Sequence, residues 1–331
     1  MKMSIQRIVA LSLATLTGTV LTTNAVAGEY DFEAGLSYGN NSTDTVSPLF
    51  SFGGPNPVPT AGTSTSSTDS DRVELSGAWY YSGLSDKNGP KSRAAFLDRA
   101  SSVQFSYSYD DLSGSFSSSG LQAPLPPGIL PVPPSTGTTD GTTHSLQAGL
   151  RHVWKASGWY GLAGATRVDS DLDTVFNGIS GSYDTDATVY SFGVGKYLGE
   201  ATALDLSLVS SDLGGYDTTA YALSFNHIGS IGSDWQYGAD LTVAVSDTDE
   251  DDGNYSLGLS LFPTTEIEFG IQVLHHESAY DSDRDTYEGF VSWFVRDHVE
   301  LNASYQNADW EPNSVTDTDI DQFTIGVSVR F

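Results

Sequence analysis

From Tyr30 to the C-terminus the chain alternates apolar and polar residues in units of about ten, a period of two that predicts β-strands. The first apolar set is Tyr30, Phe32, Ala34, Leu36 and Tyr38, and the second is Val73, Leu75, Gly77, Trp79 and Tyr81. Val103, Phe105, Tyr107 and Tyr109 follow, then Leu146, Ala148 and Leu150, then Tyr160, Leu162 and Gly164, then Tyr190, Phe192 and Val194. Leu204, Leu206 and Leu208 make the seventh set, and Tyr221, Leu223 and Phe225 the eighth. The ninth is Tyr237, Ala239, Leu241, Val243 and Val245; the tenth is Tyr255, Leu257, Leu259 and Leu261; the eleventh is Ile267, Phe269, Ile271 and Val273. In the twelfth unit, Tyr287 to Val295, the facing is open, because Phe290 and Phe294 compete with Val291 and Trp293. Val299, Leu301, Ala303 and Tyr305 make the thirteenth, and Phe323, Ile325, Val327, Val329 and Phe331 the last.

Units of this length match tilted strands that cross a bilayer. In hydrocarbon every backbone N–H and C=O needs a partner, so such strands must close on themselves. The expected fold is all-β: a closed antiparallel transmembrane β-barrel of about 14 strands (12–16). Short connections fall at Lys155–Gly158, Leu198–Glu200, Gly229–Asp234, Pro263–Thr265 and Asp297–His298. Longer ones fall at Asn40–Ser70, Ser113–Gly141, Asp169–Asp186, Asp247–Gly253 and Trp310–Asp319. Two connections break the rule: Ser85–Asp98 is long for the short side, and Asp212–Asp217 is short for the long side. The alternation predicts short periplasmic turns and longer extracellular loops. A soluble sandwich or solenoid also alternates. Against it, aromatics gather at strand ends (Trp79, Tyr81, Trp154, Trp159, Tyr160, Trp235, Tyr237, Trp310). The opposite face, with Ser106, Ser108, Gln147, Thr242, Ser260, Gln272, Asn302 and Ser304, is too polar for a dry core.

Residues 1–27 have the layout of a secretory signal peptide: Lys2 and Arg7, an apolar stretch from Ile8 to Leu21, and Ala25-Val26-Ala27 before Gly28. The barrel is then residues 28–331. Loss of Lys2 and Arg7 leaves 12 basic residues against 42 acidic, a net charge of 12 − 42 = −30. Such a chain repels phosphate backbones, so nucleic acid is excluded as a partner. Cysteine is absent, which removes disulfides, thiolate metal sites and a cysteine nucleophile.

On this register the inward face carries Asp31, Glu33, Glu74, Asp240, Glu266, Glu268, Glu300 and Asp321, opposed by Arg72, Arg151, Arg167 and Arg330. A lumen richer in carboxylate than in base favours cations by local potential. The bland reading is that these groups only pair and solvate a wide passage. A water-filled interior survives under both.

A terminal strand ending in Phe331, with Val329, Val327 and Phe323 on its apolar side, resembles the closing strand of Gram-negative outer-membrane β-barrels of the porin type. In that family the strand is read by the insertion machinery. The resemblance covers the whole mature chain through strand grammar, with no local catalytic motif. It implies a cell-outer-membrane protein that lets ions and small hydrophilic solutes diffuse passively, in contact with outer-membrane lipid, lipopolysaccharide and the barrel-assembly machinery. Familiar trimeric porins have sixteen strands and a long third loop folded inward. Here fourteen are counted and the third long loop, Asp169–Asp186, is unexceptional, so neither trimer nor constriction carries over and self-association stays open. Gly120–Pro134, stiffened by prolines yet rich in Leu, Ile and Val, reads as an inserted loop or a disordered external one.

Other chemistry is weaker. Asp169/Asp171/Asp173, Asp247/Asp249/Asp251, Asp281/Asp283/Asp285 and Asp317/Asp319/Asp321 start like calcium loops but lack the glycine and glutamate that complete one. Loosely bound divalent cations are the most they imply; no cofactor and no specific metal site is expected. His275 and His276 point to opposite faces of a strand and cannot share an ion. No catalytic residue stands out. The alternatives to a porin are an outer-membrane barrel enzyme (protease or lipid hydrolase) and a non-conducting structural barrel.

Overall fold

The computed structural model describes residues 30–51, 58–84, 89–120, 133–213, 216–246, 253–277, 283–313 and 316–331. The leader and residues 121–132 of the proline-rich segment lie outside them. Among the described residues, fourteen strands form one closed antiparallel barrel. They are β1 (Tyr30–Ser51), β2 (Val58–Leu84), β3 (Ser102–Ser118), β4 (Ser135–Trp154), β5 (Trp159–Phe176), β6 (Ile179–Tyr197) and β7 (Thr202–Leu213), then β8 (Tyr216–Ile231), β9 (Trp235–Ser246), β10 (Gly253–Thr264), β11 (Ile267–Glu277), β12 (Arg284–Arg296), β13 (Val299–Asn313) and β14 (Thr316–Arg330). Each strand pairs with its neighbours in sequence, and β1 pairs with β14 to close the ring. Phe331 is part of that seam: its carbonyl accepts from the Asp31 and Phe32 amides at 3.1 and 3.3 Å, and its amide donates to the Phe32 carbonyl at 2.9 Å.

The outer face is an apolar belt. Leu75, Leu146, Phe192 and Ile271 are 56–59% exposed, and every strand contributes to the band. A continuous ring of this kind is a lipid-facing surface rather than a wet one. Tyr38, Tyr107, Tyr190, Tyr221, Tyr255, Tyr287 and Tyr305 rim it at one end, and Trp79, Trp154, Trp159, Trp235 and Trp293 at the other, all exposed. These are the two aromatic girdles expected at headgroup level. On β2 the band runs from Val73 to Tyr81, close to the roughly 9–11 residues a tilted strand needs to cross hydrocarbon.

Three strands depart from the expected facing. β5 is reversed: Tyr160, Leu162, Thr166 and Val168 face inward, while Trp159 and Ala165 face out. Arg167 therefore lies on the outer face, bound to Asp169 at 2.9 Å, and not in the lumen. Asp321 is likewise outward, held by the hydroxyl of outward Tyr305. On β12 the facing resolves with Val291 and Trp293 outward and Phe294 inward, buried. On β1 a register shift between Tyr30 and Phe32 turns Tyr30 onto an inner apolar cluster and leaves Asp31 exposed at the rim.

The long connections are mostly paired backbone. The β1–β2 ladder continues past the belt from Asn40↔Asp71 to Val46↔Thr65 and beyond. The β5–β6 ladder runs through Asp169↔Asp186 to Phe176↔Ile179. Asn177 and Gly178 close that hairpin with φ of 49° and 79°, the two positive values a type I′ turn requires. Strands β1 to β6 have 17–27 residues and β9 to β12 only 11–13, so one side of the wall is much taller.

Candidate functional site

The connection between β2 and β3 is the departure that matters most. It does not turn tightly. It folds into the short-turn mouth of the barrel, where Pro90, Lys91, Ser92, Ala94, Ala95, Ala100 and Ser101 are buried. Its one helical turn, α1 (Ala94–Leu97), is too short to stand alone, and the wall holds it in place. We call residues 89–101 the bridge. Fourteen strands about 4.8 Å apart and tilted by about 40° enclose a cylinder roughly 28 Å across. The bridge is rooted on β2 and β3 and reaches β9 to β11 on the opposite side of the ring.

Two kinds of contact hold it. On the near side it is apolar: Ala95 and Ala100 join Ala78, Tyr80 and Leu84, while Phe96 packs on Tyr197 with ring centroids 5.4 Å apart. The Tyr197 hydroxyl donates to the Phe96 carbonyl at 2.8 Å. The Arg99 guanidinium lies 4.8 Å from the Tyr197 ring centroid and donates to the Gly199 carbonyl at 2.8 Å. Ser101 accepts from the Val153 amide at 2.9 Å.

On the far side the contact is ionic. Arg93 donates to Glu268 Oε1 from Nη2 at 3.0 Å and from Nε at 3.3 Å. Its Nη2 also lies 3.1 Å from Asp240 Oδ2 and 3.1 Å from Ser260 Oγ. Ser260 in turn donates to Glu268 Oε1 at 2.7 Å, which orients that carboxylate. The Lys91 ammonium sits 2.7 Å from Asp297 and 3.8 Å from Glu266, and its amide donates to the Thr265 carbonyl at 2.8 Å. Asp297 is in a turn, and the Lys91 ammonium that donates to it holds its carboxyl below the usual carboxylate range.

The residues expected to line the lumen separate into groups. Asp240, Glu266 and Glu268 meet at the bridge. Glu300 and Arg330 form a second inward cluster: Arg330 Nη2 is 3.3 Å from Glu300, and its Nε is 3.7 Å from Glu33. Ser328 donates to Glu300 at 3.1 Å, Ser292 also donates to it, and the Arg330 guanidinium lies 3.9 Å from the Phe294 ring centroid. Arg151 is inward, over the Tyr160 ring at 4.9 Å, and donates to the Tyr197 hydroxyl. Arg72 and Glu74 pair at 3.2 Å nearer the tall end, with Asp110 4.0 Å from Arg72. Arg167 is outside, as described. Val327, Val329, Phe323 and Phe331 lie along the outer side of the seam.

The bridge cations Lys91, Arg93 and Arg99 were not foreseen as site residues. Their signal was in the composition. Of the 12 basic residues after the leader, four (Lys87, Lys91, Arg93, Arg99) crowd into the one connection that is too long for the short-turn side. A basic strap in a chain this acidic has partners within the wall. Among the described residues no group of His, Asp and Glu is arranged to hold a metal ion.

No protein-family model matches the chain, and no curated protein matches its sequence. Solved structures with a similar course of strands include the Acinetobacter baumannii outer membrane protein Omp33, at 16% identity and a TM-score of 0.49, covering 92% of this chain and 99% of that one. The translocator domain of the autotransporter NalP from Neisseria meningitidis is 11% identical at a TM-score of 0.43, covering 97% of each chain. The KdgM porin is 9% identical at a TM-score of 0.37, covering 60% of this chain and 96% of that one. Their activities are not carried over to this chain.

Proposed function

We propose that this protein is an outer-membrane channel through which ions and small hydrophilic solutes diffuse, preferring cations, with the bridge narrowing its periplasmic mouth. The observation that carries the proposal is the two-faced wall: an apolar belt with aromatic rims outside, and Ser, Thr, Asn, Gln and charged side chains inside. Such a wall places lipid around and water within. On this reading the short-turn end with both described chain ends is periplasmic, and the tall acidic hairpins stand outside the cell, against lipopolysaccharide and loosely held divalent cations. Selectivity follows from the wall of β9 to β13, which presents Asp240, Glu266, Glu268, Glu288 and Glu300 on one side. The basic groups at Asp240, Glu266 and Glu268, Lys91 and Arg93, belong to the bridge, whereas Glu300 pairs with Arg330 of the wall. Catalysis forms no part of the proposal.

The bridge itself favours a second reading, a sealed structural barrel. Planar bilayers separate the two. Full-length protein should give stepwise conductance, with reversal potentials under a KCl gradient showing cation preference. Asp240→Asn with Glu268→Gln should reduce that preference. Silence from the wild type and from Lys91→Gln/Arg93→Gln, both verified as folded by heat-modifiable gel migration, would leave the sealed barrel standing.

A further inference from the structure

We infer that the solute this channel serves carries a guanidinium group, and that it opens the mouth by taking the place of Arg93 at Asp240 and Glu268. The inference rests on the channel reading above.

Arg93 is held in a built socket. Three consecutive strands supply it: Asp240 from β9, Ser260 from β10 and Glu268 from β11, all within 3.3 Å of the guanidinium. Glu268 is 2% exposed, and its carboxylate accepts from the Ser260 hydroxyl as well as from Arg93, so the wall itself helps to orient it. Glu268 Oε1 accepts from both Nε and Nη2, and Asp240 Oδ2 and Ser260 Oγ lie at Nη2, a set of acceptors that suits a planar cation with several N–H donors better than a spherical one. Lys91 repeats the arrangement one step nearer the rim, as an ammonium against Asp297 and Glu266. The wall is therefore the receptor, and the bridge carries both of its cations as a tethered ligand.

A free guanidinium solute is the chemical equal of what the tether holds at Asp240 and Glu268. The two compete, because socket and bridge are joined by non-covalent contacts alone on this side. A short tether presents its ligand at an effective concentration in the millimolar range, so competition needs solute at roughly that concentration. Neutral and anionic solutes have no access to the exchange. The apolar half of the bridge, with Ala95, Phe96 and Ala100 on β2 and β6, has no counterpart in such a solute. Exchange thus frees the Lys91–Arg93 arm from the far wall while α1 stays seated on the near one. The solute that has opened the mouth then occupies an acidic wall along which it can pass.

The test compares arginine with citrulline, its neutral near-isostere, on full-length protein in neutral-lipid bilayers at constant ionic strength. Arginine at millimolar concentration should raise the open fraction about tenfold, the effect of losing one charged hydrogen bond from the latch. Citrulline and glutamate should not. Arg93→Gln should be open without arginine and gain nothing from it, and Arg93→Lys should respond at lower arginine because its point charge fits the fork less well. Equal responses to arginine and citrulline overturn the inference while leaving the channel intact. So does an arginine response in Arg93→Gln matching the wild type. Absence of conductance from every folded variant, Lys91→Gln/Arg93→Gln included, overturns the channel and the inference together.

Discussion

Arg99 shows how much local cost the bridge absorbs. It follows α1 at φ 52°, a left-handed position where glycine is usual. The Ala100 amide donates to the Ala95 carbonyl at 2.9 Å and the Arg99 amide to the Phe96 carbonyl at 3.2 Å, the two bonds of a Schellman ending. A side chain there costs about 1 kcal/mol, offset here by the Tyr197 ring and the Gly199 carbonyl. Arg99→Ala keeps the cost and loses both contacts, whereas Arg99→Gly loses all three. Amides of residues 98 and 100 should therefore exchange with deuterium about fivefold faster in the alanine variant than in the glycine one. Equal rates would mean that the backbone is not strained. The reversal of β5 belongs to the same story. Tyr160 and Leu162 look like lipid-facing residues in sequence because they are the larger members of their alternation. They are large because they pack toward the bridge, in a cluster with Val153, Tyr197 and Phe96. Phe294, under Arg330, misleads for a similar reason. A lumen that is dry in one place defeats a rule that equates greasy with outward.

Among the elements, strands were legible and their surroundings less so. Period-two alternation located twelve of the fourteen facings, with β12 left open and β5 reversed, because lipid and water impose opposite demands on the two sides of each strand. Beyond the belt both sides meet water, so Arg167 and Asp321 sit outside although they are charged. Serine, threonine and aspartate there read as loop, yet threonine is a good strand former and the backbone stays paired. The fold of residues 89–101 was invisible, since the bridge's partners lie on strands far away in sequence; only the basic charge of the connection marked it. At this scale the Lys91–Asp297 contact predicts a pH response. The unfolded carboxyl titrates near about 3.9, and the folded one lower. The stabilisation is fully present above the unfolded value and is lost as pH falls through the folded one. Glu266 faces the same ammonium at 3.8 Å, and His298 lies close enough to act on the Asp297 carboxylate. Open fraction should rise in the acid range below about pH 4, and Asp297→Asn should raise it at neutral pH while flattening the acid response. An unchanged acid response in that variant would assign the effect to other carboxylates.

For the whole molecule, closure is the β1–β14 ladder from Glu33↔Arg330 to Val46↔Asp317, which Phe331 extends at one end. Phe331 makes backbone bonds to Asp31 and Phe32, while its ring is 66% exposed and 6.4 Å from the Phe32 ring. Phe331→Ala keeps the backbone bonds and removes the ring. Refolding into detergent should be nearly unaffected, whereas the amount of heat-modifiable barrel in cell envelopes should fall several-fold. Equal losses in both would make the ring a structural part of the seam instead of a signal. The roots of the bridge also have a consequence at this scale. They are neighbouring staves, Leu84 ending one and Ser102 beginning the next, and the pair stays laced together from Trp79↔Val103 outward. Release of the Lys91–Arg93 arm, with α1 still seated beside these staves, breaks no rung of the cylinder. Passage and durability are thereby decoupled: the doorway can swing many times while the tower never loosens.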